Sequence, residues 1–220
     1  RRSLRANPLR SQTIVFEIQK RISISQIVKW VAADYLVAMS TQETVRQRFD
    51  EVDASEALRL DADKAEQIID ALNTDLANAY VLYHQIKKHH WNVEGAEFLE
   101  IHEYLGEITE DLEESADELA ERAQAIGGVP LSGGATYEEH APIEPEGDDV
   151  YDIRTSLEND MEAFGVIIEA IRDHIQLTND LGDYATEELL RETLETVEEH
   201  AHHLEHYLED DTLVVDSATN

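Results

Sequence analysis

The chain has 220 residues, 42% of them hydrophobic, which is enough to bury a sizeable core and too much for wholesale disorder. It contains no cysteine, so disulfide frameworks, zinc–thiolate sites and thiol catalysis are excluded, and any metal must be held by histidine and carboxylate. With 17 Lys and Arg against 49 Asp and Glu, the formal net charge of −32 argues against a body that grips nucleic acid or anionic membrane.

The charge is unevenly placed. Residues 1–38 carry seven basic and two acidic groups, leaving 10 basic against 47 acidic groups for residues 39–220, a net of −37. Only three of those later residues are lysines (Lys64, Lys87, Lys88). An acidic, lysine-poor surface suits cation traffic or life at high salt; a merely solvated acidic face is the plainer alternative. The composition shift at Met39 marks residues 1–38 as a basic extension, expected to be a leader or non-native sequence. The most apolar run, Ile22 to Met39, is interrupted by Lys29 and Asp34, so neither a membrane span nor a cleavable signal is expected and the protein reads as cytoplasmic.

Residues 39–62 are an N-terminal segment in which Thr41 to Leu58 can form a short amphipathic helix. From residue 63 to 210 the apolar period is helical. A first long helix is predicted over about 63–91, with Asp63 and Glu66 as a capping pair and Ile69, Leu72, Leu76, Tyr80, Tyr83 and Ile86 inward. A second is predicted over about 96–126, with Phe98, Ile101, Leu105, Ile108, Leu112, Leu119 and Ala123 inward, stopped by Gly127 and Gly128. A loop over about 127–149 follows. The third helix is expected over about 150–178 and the fourth over about 183–208, ahead of a tail at 211–220. No alternating pattern argues for a sheet. Short, long and short connections make this an all-α four-helix bundle whose long crossover lets helices two and three run the same way, the ferritin-like arrangement.

Phosphate-binding glycine loops and nucleophile elbows are missing. Histidines among helical carboxylates remain, the donor set of iron and manganese sites. A di-iron centre inside the bundle needs two Glu-x-x-His pairs, and this chain has one, Glu199 with His202. Better material lies elsewhere: His90-Trp91-Asn92-Val93-Glu94-Gly95 at the first helix's end, His102 in the second, and Asp117 and Glu121 at i,i+4 near its close. His102 and Asp117, fifteen residues apart, stand roughly 22 Å apart along one straight helix but only about 60° apart around it. They share a face without sharing an ion, whose ligand bonds span about 2 Å. An antiparallel two-fold pairing of second helices brings each histidine end to the other's carboxylate end and makes two sites per dimer. His90 is in heptad phase with Leu76 and Tyr83 and is expected on the interior side; Trp91 reads as a packing residue.

On the His90-Trp91-Asn92 stretch and the Asp117-x-x-Ala120-Glu121-Arg122 stretch, followed by Gly127-Gly128-Val129-Pro130, the chain resembles the Dps family of ferritin-like mini-cages over about residues 60–210. Within it the likeness is to the DpsA type of halophilic archaea. The resemblance implies a twelve-subunit shell built from two-fold dimers. It makes His90 and His102 ferroxidase ligands from one subunit, with Asp117 and Glu121 from its neighbour. Iron is the implied metal, Fe(II) with hydrogen peroxide or oxygen the implied reactants, and no organic cofactor is expected. One position departs from the family: the carboxylate usual four residues after the second histidine is Gly106 here, leaving either a sparser ligand set or a substitute such as Glu107.

His202 and His206 at i,i+4 on the fourth helix can meet one cation or line a solvated face. Glu188 and Glu192 match, by resemblance, an acidic pore at which three subunits meet; they also suit the first turns of a helix. Glu110, Glu113 and Glu114 form an acidic rank that can nucleate ferric mineral or simply be solvated. His84, His89, His140 and His174 receive no role. The expected function is iron oxidation and storage protecting against oxidative damage, without tight DNA binding. A metal-sequestering cage without turnover and an acidic helical scaffold are the alternatives.

Overall fold

A computed structural model describes residues 45–209. The expectations for residues 1–38 and 211–220 lie outside the described residues. The chain divides into two compact units, 1–48 and 49–220, and the described helices all belong to the second.

Five helices form it: α1 (Ala62–Asn92), α2 (Phe98–Ala125), α3 (Gly134–His140), α4 (Ile153–Leu181) and α5 (Tyr184–Leu208). Among the described residues there is no strand, and no helix is long and apolar enough to cross a membrane. α1 packs on α2 and α4, α5 closes the ring between α2 and α4, and α3 lies on α1. The direction of each helix follows from its end contacts. Arg122, near the close of α2, donates to Asp183, just past the close of α4, at 2.7 Å, so α2 and α4 end together and run the same way. Lys64, near the start of α1, donates to the Leu181 carbonyl at the end of α4 at 3.0 Å, so α1 runs against α4. This is the four-helix bundle with a long crossover that the connection lengths predicted.

The core follows the apolar period. Leu72, Leu76, Ile86, Leu105, Ile108, Leu112, Leu119, Phe164, Ile171, Leu190, Val197 and Leu204 are buried, each contributing about 1.5–3 kcal/mol relative to an exposed side chain. α1 carries a second buried stripe that its composition disguised. Ala71, Asp75, Asn78, Leu82, Gln85 and His89 recur at heptad spacing and are all buried. This stripe meets α4, where Asp75 accepts from His174 Nδ1 at 2.8 Å and Asp160 accepts from His89 Nδ1 at 2.8 Å. The acid is on α1 in one pair and on α4 in the other, a polarity that a parallel docking of the two helices does not satisfy.

Several expectations need correction. The described part of the 41–58 segment is turns and irregular chain, without a helix. Asp63 does not cap α1: Asp61 is the N-cap residue and makes no side-chain bond there. The long loop contains α3, held where Tyr137 stacks on Tyr80 at 4.7 Å between ring centres. Phe98 is exposed. At the close of α2, Gly127 sits at φ +106°, and a Cβ there would meet the Asp53 carbonyl at 2.2 Å. Only glycine lets residues 52–54 dock at that point, with Asp53 N donating to the Gly127 carbonyl at 2.9 Å.

Candidate metal centre

The last turn of α1 and the second turn of α2 bring His90 and His102 together. Their rings stack with centres 3.8 Å apart at 18°, and Phe98 stacks on the far side of His102 at 5.1 Å. The hydrogen bonding is reciprocal. His90 Nδ1 donates to the His102 carbonyl at 2.7 Å, and His102 Nδ1 donates to the His90 carbonyl at 2.9 Å. A carbonyl only accepts, so both Nδ1 atoms carry a proton. In the neutral rings each Nε2 then keeps a lone pair, the form in which histidine binds a metal. Burial, partly offset by the bond to the His102 carbonyl, holds His90 below the ordinary imidazole value, and the stacked imidazole and Lys87 push the same way. The pair is thus held in a fixed orientation by its own backbone. His90 is half-buried at the end of α1 with its ring turned to α2, and Trp91 is 71% exposed, so it does not pack within its own chain.

Asp117 and Glu121 are exposed on α2, about 22 Å and about 28 Å from His102 by helical rise. The fold leaves them apart from the histidines. Among the described residues, no three His, Asp or Glu side chains gather closely enough to hold a metal ion within one chain. Gly106 faces His90: a Cβ built on it lies 3.4 Å from His90 Cε1. Glu107, the candidate substitute, instead lines a cleft of about 420 Å³ with Tyr104, His203, His206 and Tyr207.

His202 and His206 are together, with Nε2 atoms 3.1 Å apart and both side chains exposed. Glu188, Glu110 and Glu113 are exposed without a gathered partner set. Glu192 lines a groove between α2 and α5 with Asp111, Glu114, Glu118 and Glu199.

Polar residues that sequence reasoning passed over hold the bundle around this centre. His89 is buried and donates from both ring nitrogens, to Asp160 and to Glu146 at 2.8 Å each, which makes it an imidazolium between two carboxylates. Burial pulls its pKa down, but these bonds outweigh it and hold the imidazole above its ordinary value. Glu146 also pairs with Lys88 and accepts from Asn159, tying the crossover to the end of α1 beside His90. His200 is buried on α5, with Nε2 donating to Asp111 at 2.9 Å and Nδ1 accepting from the Tyr104 hydroxyl at 3.1 Å. The signal available for His89 was its place on the second α1 stripe.

The ferritin-like domain family matches residues 69–214. The DNA protection during starvation protein of Halobacterium salinarum is 61% identical over 82% of this chain and 99% of that protein. The chain belongs to the Dps family. A crystal structure of an archaeal Dps homologue from H. salinarum superposes with a TM-score of 0.78 at 61% identity, covering 81% of this chain and 99% of that one. The Dps protein of Vibrio cholerae O1, described as a member of a broad superfamily of ferritin-like diiron-carboxylate proteins, superposes with a TM-score of 0.67 at 30% identity, covering 72% of this chain and 99% of that one. The Dps fold accounts for the crossover.

Proposed function

We propose that this Dps protein oxidises Fe(II) at sites shared between two chains and stores the ferric product inside a shell of twelve subunits. One observation carries the reading: a pre-oriented imidazole pair without carboxylates, whose His102 shares α2 with an exposed carboxylate pair about 22 to 28 Å away. Two such helices paired antiparallel about a two-fold axis bring the halves together twice. His90 and His102 of one chain then supply neutral nitrogen donors, and Asp117 and Glu121 of the other supply anionic oxygen. Iron is the substrate. Each ferrous ion gives one electron, and hydrogen peroxide takes two and leaves as two hydroxides, so two ions held side by side match one oxidant molecule. Dioxygen is the second oxidant the reading allows. The residues' work is to hold the ions close with positions open to the oxidant.

Glu188 and Glu192 are assigned to the pore through which iron passes, drawn by the negative potential of the shell. His202 and His206 serve as a secondary cation site, and Glu110 and Glu113 nucleate mineral. The H. salinarum relative is named for DNA protection. For this chain we assign protection to removal of iron and oxidant, because a net charge of −37 over residues 39–220 opposes contact with phosphates. Gel-shift assays at physiological salt with residues 40–220 are expected to leave duplex DNA unretarded. The acidic surface suits high salt.

Anaerobic ferrous titration of the assembled protein, followed by peroxide, tests the function. Stoichiometric binding and fast oxidation are expected, with His102→Ala slowing oxidation at least about tenfold, the scale on which even residues supporting a metal ligand act. The absence of a side chain at Gly106 beside His90 favours a second reading, a cage that sequesters metal without turnover. Binding with no gain in oxidation rate over free iron would select it.

A further inference from the structure

The histidine half of the proposed centre offers nitrogen donors and no anionic oxygen, and one residue accounts for this. Both Nδ1 protons are committed to carbonyls, so each imidazole can meet a cation through Nε2 alone. Glu107 stands one step round the helix, in the cleft with Tyr104 and Tyr207. The α2 position that does face His90 is Gly106. The site of its absent Cβ is 3.4 Å from His90 Cε1 and 3.6 Å from Nδ1, ordinary contact distances, so the fold admits a side chain there. That point faces the Cε1–Nδ1 edge of the ring, and Cε1 is bonded to Nε2 as well, so the carboxylate of an aspartate at residue 106 would extend from it along the ring toward the Nε2 side.

Imidazole nitrogens without a carboxylate are poor ligands for a ferrous ion, which sits low in the divalent affinity order and needs anionic oxygen to offset its charge. Zinc and copper stand higher in that order and accept imidazole alone. We infer that Gly106 makes ferrous binding at His90 and His102 wholly dependent on the carboxylates of a second copy of this chain, and leaves the pair by itself a site for Zn(II) or Cu(II). Gly106 is in this sense a specificity-determining residue. Its consequence is linkage: an ion held only by two chains at once stabilises their contact, so iron loading and assembly reinforce one another.

This inference rests on the proposed interchain site, and the test separates the two. Fe(II) and, separately, Zn(II) are titrated anaerobically into the full chain in four forms. These are the unaltered protein, Asp117→Asn/Glu121→Gln, and that double variant with either Gly106→Asp or Gly106→Ala. The double variant is expected to lose at least about 30-fold in Fe(II) affinity while keeping Zn(II) to within about tenfold, in line with the weight of single ligands and their supports. Adding Gly106→Asp restores at least about tenfold for Fe(II), and adding Gly106→Ala restores nothing. Equal Fe(II) affinities for the Asp and Ala forms, or loss of Zn(II) as complete as that of Fe(II), overturn the inference and leave the interchain site standing. Unchanged Fe(II) affinity in the double variant overturns the interchain site itself. Sedimentation confirms that each variant assembles; if the double variant dissociates, Glu121→Gln alone provides the background.

Discussion

Asn78 is fully buried in α1, and neither its amide nitrogen nor its amide oxygen has a protein partner; Asp75 one turn earlier leaves Oδ1 unpaired as well. A buried, unsatisfied amide costs about 1–3 kcal/mol, whereas an apolar group of similar shape costs nothing of the kind. Asn78→Leu is therefore expected to stabilise the protein by about 1 kcal/mol, read as a higher urea midpoint with an unchanged slope. A loss of stability would mean the amide is bonded in solution. The same scale separates the histidines. His90 and His102 turn Nδ1 to each other's carbonyls and leave Nε2 without a partner, while His89, next to His90 in the chain, is fastened through both ring nitrogens between Asp160 and Glu146. One residue of helix, a turn of about 100°, moves a side chain from the end face to the α4 seam.

Among the elements, the turn between α4 and α5 is the most heavily fastened. α4 ends at Gly182, at φ +81°, where a left-handed residue closes the helix. Asp183 then caps α5, accepting from Thr186 N at 3.2 Å, and also accepts from the Arg122 guanidinium at 2.7 Å. It thereby ties the end of α2 to the α4–α5 turn. Removing a cap costs about 1 kcal/mol, and leaving a half-buried guanidinium unpaired costs about as much again. Asp183→Ala is expected to destabilise by about 2 kcal/mol in chemical denaturation, and a change below about 0.5 kcal/mol would show that the clasp is solvated. α3 illustrates the opposite case. Seven residues are too few to hold a helix by propensity, and the stack of Tyr137 on Tyr80 decides its conformation.

At the scale of the molecule, stability has a definite pH slope. Burial pulls His174 down, but its bond with Asp75 outweighs this and raises the imidazole above its ordinary value; His89 is raised in the same way by Asp160 and Glu146. A raised imidazole stabilises the folded state fully below the unfolded value of about 6.5, and that contribution is lost as pH climbs through the native values. At fixed high salt, the melting temperature is expected to fall as pH rises above 6.5, and His174→Gln to flatten part of the slope. A melting temperature that rises over that interval would contradict the assignment. High salt matters here because the acidic charge of residues 39–220 repels itself.

The sequence alone determined the four long helices, most of their apolar stripes and the crossover. Periodicity, Gly127 and the spacing of donors along a rigid rod are local properties, readable without knowing what packs where. Tertiary structure decided the rest. The polar stripe Asp75–Asn78–Gln85–His89 has no apolar period to betray it, and only the arrival of Asp160 and His174 from α4, some 70 to 100 residues away, makes those groups buriable. The tautomers of His90 and His102 likewise depend on each ring reaching the other's carbonyl, a contact made when the hairpin closes. The side of α2 that Glu107 presents was undecided until α5 took its place. Periodicity reports which faces must be covered; the covering partner, and with it charge and protonation, is settled only when distant segments meet.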